Sequence, residues 1–529
     1  MSVGPQYYRL PNECTRATLR RALIEDLGLS SDGRETVKRE YLDSFDWRIA
    51  GSGYLLEIET AADGVMLTRR PLSPGAASRP LSLVLPAAPR TADDIPAASL
   101  RTWLADRLDL RALTRVARLH SQVERFSLRD ADGKQRVRVA IQRDHIVDHA
   151  DRQHDLPRRL LIEPLRGYEA DAQGLLASLR RQWKIKAFGT DPFHLAVAAN
   201  GRVIGDYDQK VSFNLNPYQR TDATVREILR TLLITMERNE DGIVQQIDTE
   251  FLHDFRVAVR RSRSLVGQVK GVFAPAELAR FKDDLGWLGQ ITGPGRDMDV
   301  YLLDFDKLGA GLPEAQRPHL APLKAFLAAH HRIAYDELAR DLRGKRYRQF
   351  RRDWHRYLGA PLPLVSNEPN AMRPIRHVAN ERIWRLYRLA LAEGGAITPE
   401  SPNDDLHELR KTCKKLRYLM EFFRSLYPPI KLDENVRALK KLQDFLGLFQ
   451  DLEVQSAKLH EFERQMREAG ELPPETESAI ESLVAHMLDE QAGLRSGFED
   501  LFQAFSDAGN QAHYQALFAP DGSVSTNQT

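Results

Sequence analysis

The sequence predicts an α+β molecule in two parts. An amino-terminal domain rich in antiparallel β-structure spans residues 1–195, and an all-α helical bundle built as two related halves spans 218–505. Three observations lead there. Short alternating runs separated by turn residues fill the first 195 positions. From about Thr221 onward the text is helical almost throughout. Two stretches of that helical part, 154 positions apart, repeat one pattern of histidine and basic residues.

In chain order, Thr15 to Leu27 has helical spacing. Tyr54 to Glu59, then Asp63-Gly64, then Val65 to Thr68 predicts a hairpin. The Pro-, Ala- and Ser-rich stretch Pro71 to Pro96 reads as a loop. Ser99 to Leu104 is helical, and Arg125 to Leu128, Asp132-Gly133 and Val137 to Ile141 predict a second hairpin. Asp171 to Trp183 is again helical. Residues 196–217, rich in Gly, Asn and Asp, are the expected linker. Beyond it, breaks at Gly293-Pro294-Gly295, Gly309 to Pro313, Pro361 to Pro374, Gly394 to Pro402, Pro428-Pro429 and Pro473-Pro474 delimit eight to ten helices. The halves fall at about 218–360 and 370–505, and 506–529 reads as a partly disordered tail.

Composition narrows the function classes. Apolar residues make up 42%, enough for real cores, and 76 basic residues nearly cancel 74 acidic ones. A charged partner must therefore be recognised by local charge placement. Cys14 and Cys413 are too few for a disulfide framework or a zinc cluster. Met1 to Leu10 has no secretory pattern, and no run of ~18 apolar residues predicts a membrane span. A cytoplasmic location is expected.

The repeated strings are His253-Asp-Phe-Arg256-Val-Ala-Val-Arg260-Arg261-Ser-Arg263 and His407-Glu-Leu-Arg410-Lys411-Thr-Cys-Lys414-Lys415-Leu-Arg417. The register continues into Leu288…Arg296-Asp297-Met298-Asp299-Val300 and Leu442…Gln450-Asp451-Leu452-Glu453-Val454. At about 100° per residue, His253, Arg256, Arg260 and Arg263 share an arc of roughly 80°, beside an apolar stripe of Leu252, Phe255, Val259 and Val266. His407, Arg410, Lys414 and Arg417 form the matching arc beside Leu406, Leu409, Cys413 and Met420. Arg261, Lys411 and Lys415 project further round, towards solvent, and are weaker candidates.

Like charges at this spacing repel. Two readings follow. Either Asp297, Asp299, Asp451 and Glu453 neutralise the arcs, or the arcs face a common groove that takes an extended anion. Arginine forks and mobile lysine ammoniums suit a repeating phosphate chain. A third basic stretch, Arg340 to Arg356, carries charge all round its helix and reads as solvated surface. Arginine three residues after each histidine repels a cation, so no metal site is expected at either.

The duplicated His-x-x-Arg-x-x-x-Arg/Lys helix with its Leu…Asp-x-Asp/Glu-Val element resembles a CHAD domain (conserved histidine α-helical domain) over about 218–505. The resemblance implies a two-fold pseudosymmetric helical domain that binds inorganic polyphosphate, with His253, Arg256, Arg260, Arg263, His407, Arg410, Lys414 and Arg417 at its basic surface. Arg296 is a weaker candidate, because Gln450 stands at its repeat position.

CHAD domains often follow a CYTH domain, the triphosphate-tunnel fold of class IV adenylyl cyclase and thiamine triphosphatase. Arg39 to Arg48 and Arg125 to Asp148 resemble parts of one. The family's Glu-x-Glu-x-Lys signature is replaced by Pro5-Gln-Tyr7-Tyr-Arg9, so both metal-holding glutamates are missing. Glu57, Glu59 and Glu163 could form a substitute set but read more simply as exposed acidic strand faces.

The sequence thus predicts a non-catalytic polyphosphate-binding protein, needing no cofactor and placed on polyphosphate granules. Its rivals are a metal-dependent tripolyphosphatase or nucleoside triphosphatase in the CYTH-like part, and nucleic-acid binding through the basic helices. Aromatics are not interleaved with the charges as stacking platforms would require, which makes nucleic acid the poorer partner.

Overall fold

The computed structural model describes residues 6–11, 13–61, 64–73, 80–188, 191–209 and 212–520. The chain forms two compact units, Met1–Gln209 and Lys210–Thr529.

The first unit is an antiparallel sheet flanked by helices. Its strands are β1 (Gln6–Arg9), β2 (Ser30–Asp43), β3 (Tyr54–Ala61), β4 (Gly64–Pro71), β5 (Leu81–Leu85), β6 (Thr114–Arg129), β7 (Gln135–Val147), β8 (Gln153–Asp155), β9 (Arg159–Pro164) and β10 (Lys186–Ala187). They run in the order β10-β1-β9-β7-β6-β2-β3-β4-β5, with β8 on β7. The helices are α1 (Arg16–Arg21), α2 (Arg48–Gly51), α3 (Ala98–Leu108), α4 (Glu169–Gln182) and α5 (Pro192–Ala199).

Both expected hairpins form. In the first, β3 pairs with β4 from Tyr54↔Pro71 to Ala61↔Gly64, while Asp63 lies outside the described residues. In the second, the Asp130 carboxylate accepts the backbone N–H groups of Asp132 and Lys134 at 3.1 and 2.9 Å, and Gly133 adopts φ 77°. That positive φ is open to glycine at little cost, which makes the tight turn between β6 and β7.

The stretch expected as a loop, Pro71 to Pro96, instead contributes an edge strand. Leu83 and Leu85 alternate towards the core, and β5 pairs with β4 over Leu81 to Leu85. Burial of alternate leucines outweighs the Pro- and Ala-rich surroundings. The start of the expected linker is likewise occupied. Phe193, Ala196 and Val197 of α5 pack with Tyr41 and Trp47 in the core of the first unit.

The second unit is helical: α6 (Thr221–Val244), α7 (Thr249–Gln268), α8 (Pro275–Ile291), α9 (Gly293–Leu303), α10 (Phe305–Ala310), α11 (Ala321–Leu342), α12 (Lys345–Gly359), α13 (Ile375–Gly395), α14 (Asn403–Phe422), α15 (Pro429–Glu468), α16 (Pro474–Arg495), α17 (Phe498–Phe505) and α18 (Ala508–Phe518). Short breaks raise the number above the eight to ten expected. Helix starts repeat at the offset read from the sequence: Thr221 with Ile375, Thr249 with Asn403, and Pro275 with Pro429 are each 154 positions apart. The first half divides where the second does not. Pro294 has no N–H to give and opens α9, whereas Leu448 at the repeat position continues the 40-residue α15.

The repeat also explains the carboxyl-terminal end. Residues 506–520 are not a tail, because α17 and α18 occupy the place that α12 holds in the first half. Tyr514 and Phe518 are fully buried there, and Tyr514 stacks on Tyr387 at 3.7 Å. Asp521 to Thr529 lie outside the described residues. Among the described residues no helix is long and apolar enough to cross a membrane.

Candidate functional site

The duplicated helices are α7 and α14, and they pack against each other. Asp248 caps α7 by accepting the N–H groups of Glu250 and Phe251, which fixes where the helix begins and so where its stripes fall. Leu252, Phe255, Val259 and Val266 are buried, as are Leu406, Leu409, Cys413 and Met420. The apolar stripe thus anchors each helix and turns the basic arc outward. Burial pushes the Cys413 thiol up to about 12, so it is an inert core group.

The two arcs approach each other. Arg260 of α7 lies 5.9 Å over the Tyr418 ring of α14. It also helps to depress the proton affinity of Lys414. The Lys414 pKa is pushed down to about 8, first by burial, then by repulsion from Arg410 and Arg260, against the attraction of Asp451. Arg256 is lowered too. Burial is the main cause, Arg260 and Arg296 add repulsion, and Asp297 works the other way.

Neutralisation is uneven between the halves. In the second, Arg410 meets Asp451 at 3.1 Å, and Arg417 bonds Glu421 at 2.7 Å and Gln443 at 3.2 Å. In the first, Arg256 donates only to neutral oxygens, Thr292 Oγ1 at 3.0 Å and the Gly289 carbonyl at 3.4 Å. Arg263 lies over Gly289, the repeat position of Gln443, where a Cβ would stand 2.8 Å from its Nη1. Among the described residues no carboxylate forms an ion pair with Arg256, Arg260, Arg263, Lys414 or Lys415. The acidic reading of the sequence therefore holds for Asp451 alone of its four candidates. Asp297 is exposed, with its pKa raised by local desolvation, and Glu453 bonds Asn403 and Gln450. Asp299 is buried under His331 and Tyr335 at 2.9 Å each.

Arg261 departs from expectation. It does not point to solvent: its side chain is 12% exposed and bonds Glu421 at 2.8 Å, linking α7 to α14. Burial works against the Glu421 carboxylate, but the bonds from Arg417 and Arg261 outweigh it and hold its pKa below normal. Lys411 is exposed and paired with Glu408 at 2.7 Å, and Lys415 is half-buried. His407 Nδ1 bonds Gln450 Oε1, whose amide nitrogen donates to Glu453, so Nε2 is the ring nitrogen left for a ligand. His253 is half-buried on the matching turn of α7. Arg296 stands 4.0 Å from Asp299.

The stretch Arg340 to Arg356 differs from its reading as a helix charged all round. Tyr347, Phe350, Trp354 and Leu358 give α12 a buried face. Arg346 pairs with Asp284 at 3.0 Å, and Arg351 with Glu240 at 2.7 Å.

Some site residues were missed in the sequence. Gly293 and Gly447 stand at the repeat offset, and a Cβ on them would lie 3.7 Å from Arg256 and 4.0 Å from Arg410. Their matched spacing was the available signal. Tyr418 and Glu421 carried none, since both lie outside the repeated string.

In the first unit, Glu57 and Glu59 are not exposed acidic faces. Glu57 is buried between Arg70 at 3.2 Å and Arg39 at 3.6 Å, and Glu59 bonds Arg39 at 2.8 Å. Glu163 lies 3.6 Å from Arg138 on β9, four strands from β3 in the sheet order. Tyr7, in the place of a signature glutamate, sits 4.8 Å beneath Arg159, which bonds the buried Asp144 at 2.7 Å. Burial raises the Tyr7 pKa while Arg159, Arg39 and Arg70 oppose it. Among the described residues, the carboxylates grouped closely enough to hold an ion are Glu463, Glu477 and Glu481 of the second unit, and Arg467 already bonds Glu463 and Glu477.

Residues 227–460 match the CHAD domain family. Among solved structures, the chain is similar to the CHAD domain from the plant Ricinus communis, with 24% identity over 56% of this chain and 95% of that one, at a TM-score of 0.47. It is similar to PptA from Streptomyces chartreusis, with 18% identity over 54% of this chain and 100% of that one, at 0.39. A protein from Bacillus halodurans assigned as an adenylate cyclase shares 12% identity over 36% of this chain and 94% of that one, at 0.25. No curated protein matches the chain. The antiparallel sheet of the first unit is compatible with the CYTH-like expectation. The family match and the duplicated helices agree: residues 227–460 form a CHAD domain, within the helical unit of a chain whose other unit is a β-sheet.

Proposed function

We propose that the protein binds inorganic polyphosphate without transforming it, through the basic surface shared by α7 and α14. The observation that carries this reading is the set of cations with no ion-pair partner among the described residues: Arg256, Arg260, Arg263 and Lys414, of which Arg260 of α7 reaches Lys414 of α14. Clustered like charges, two of them half-buried at Arg256 and Lys414, repel one another and are stabilised by an anion that spans them. His407 and the paired Arg410 and Arg417 extend the surface into the second half. His253 lies at the matching place in the first.

A non-catalytic role is supported in the first unit. Arg39, Arg70 and Arg159 are matched by Glu57, Glu59, Asp191 and Asp144, so these carboxylates and guanidiniums satisfy one another rather than a cation or a triphosphate.

The test is binding of long-chain polyphosphate to the full chain across a salt series. Affinity is expected to fall with log salt at a slope of nearly one per phosphate contact. Charge reversal at Arg256, Arg260, Arg410 or Lys414 is expected to weaken binding at least about tenfold, or ~1.4 kcal/mol, while Lys411→Glu changes it little. No binding at low salt sinks the proposal. So does a preference for single-stranded nucleic acid in competition.

A further inference from the structure

Lys414 differs in its surroundings from Lys411 and Lys440. Lys411 is exposed and paired with Glu408, and Lys440 on α15 is exposed. Lys414 is half-buried, with Arg410 and Arg417 on its own helix face and Arg260 reaching it from α7. From α15 comes Asp451, already bonded to Arg410. Burial and these cations favour the neutral amine, at a pKa of about 8. An ordinary lysine near pH 7.5 is neutral in only about one molecule in a thousand. The guanidiniums that discourage the proton also attract phosphate oxygens. A small phosphate ester or anhydride held there would bring its neighbouring carbon towards the amine.

We infer that Lys414 is a covalent modification site, acylated by small acyl phosphates that Arg260, Arg410 and Arg417 hold against its ε-amine. Nζ attacks the acyl carbon and a C–N bond forms. The C–O bond to phosphate breaks, its electron pair leaving with inorganic phosphate, and the displaced nitrogen proton passes to water. The product is a neutral amide. It deletes one charge where the two arcs meet, so acylation lowers the capacity for polyanions. A bound polyanion covers the arginines and returns the amine to its ammonium form, which protects it. The inference rests on reading this surface as an anion site.

The experiment treats the full chain with acetyl phosphate at pH 8 and follows each lysine by peptide mass mapping. Lys414 is expected to react at least about tenfold faster than Lys411 or Lys440. Arg260→Gln is expected to slow Lys414 and leave Lys440 unchanged. Acetic anhydride, which carries no phosphate, is expected to show less selectivity. Equal rates at Lys414 and Lys411 overturn the inference, and the natural chain decides this even if the variant misfolds. Equal selectivity with acetic anhydride also overturns it, since phosphate capture would then play no part. Selective acylation without polyphosphate binding supports the modification site and removes the functional reading. Polyphosphate binding without selectivity does the reverse.

Discussion

At Lys414 two needs conflict. The apolar stripe of α14 half-buries the side chain, and three guanidiniums surround it, so the free protein binds its proton weakly. An anion supplies the missing counter-charge and raises the pKa in the complex. Complex formation therefore takes up a proton above pH 8. Affinity for polyphosphate should be full below about pH 8 and fall as pH rises through it. Titration from pH 7 to 9.5 at constant salt reads this directly, and Lys414→Arg should flatten the profile. The same shift acts on stability with the opposite slope. The folded chain holds this proton less tightly than the unfolded one, so the Lys414 contribution improves as pH rises from about 8 towards the normal lysine value.

Two contacts set how the helices meet. Glu421 of α14 receives Arg261 from α7 and Arg417 from its own helix. Glu421→Ala would leave the Arg261 guanidinium largely buried without a counter-charge. A loss of about 1–3 kcal/mol is expected in urea unfolding, below the full cost for a deeply buried pair because Glu421 is partly solvated. Between α6 and α7 the limit is steric. A Cβ at Gly242 would stand 2.1 Å from the Phe251 ring. Overpacking there outweighs the helix propensity that alanine adds, and Gly242→Ala should lower stability by about 1–2 kcal/mol. Little loss in unfolding experiments would show that the ring can move aside. The apolar stripes of α7 and α14 were legible as text, because the 3.6-residue period maps directly onto burial. The destination of Arg261 was not. A helical projection gives the direction of a side chain but not the neighbouring helix that lies in that direction. For the same reason α12 read as charged all round, although its aromatic residues form one buried face.

At the scale of the molecule, each unit has its own core, and the family match falls wholly within the helical one. A 212–520 fragment should therefore fold alone, with helical circular dichroism, and bind polyphosphate within about threefold of the full chain, under 1 kcal/mol. The complementary 6–209 fragment should not bind. Retention of the affinity by the latter would move the site to the sheet. The sequence by itself determined the antiparallel sheet, the helical bundle, the 154-residue duplication and the apolar stripes of its two matched helices, because each is a periodicity or an identity that local chemistry imposes. Tertiary structure decided the charge balance. The halves share one text, yet Gly289 faces Arg263 where Gln443 faces Arg417, and Asp451 pairs with Arg410 while Asp297 forms no ion pair with Arg256. Which cations remain unpaired depends on distances between helices far apart in the chain. Attraction and burial vary steeply over those few ångströms, and no spacing along the sequence encodes them.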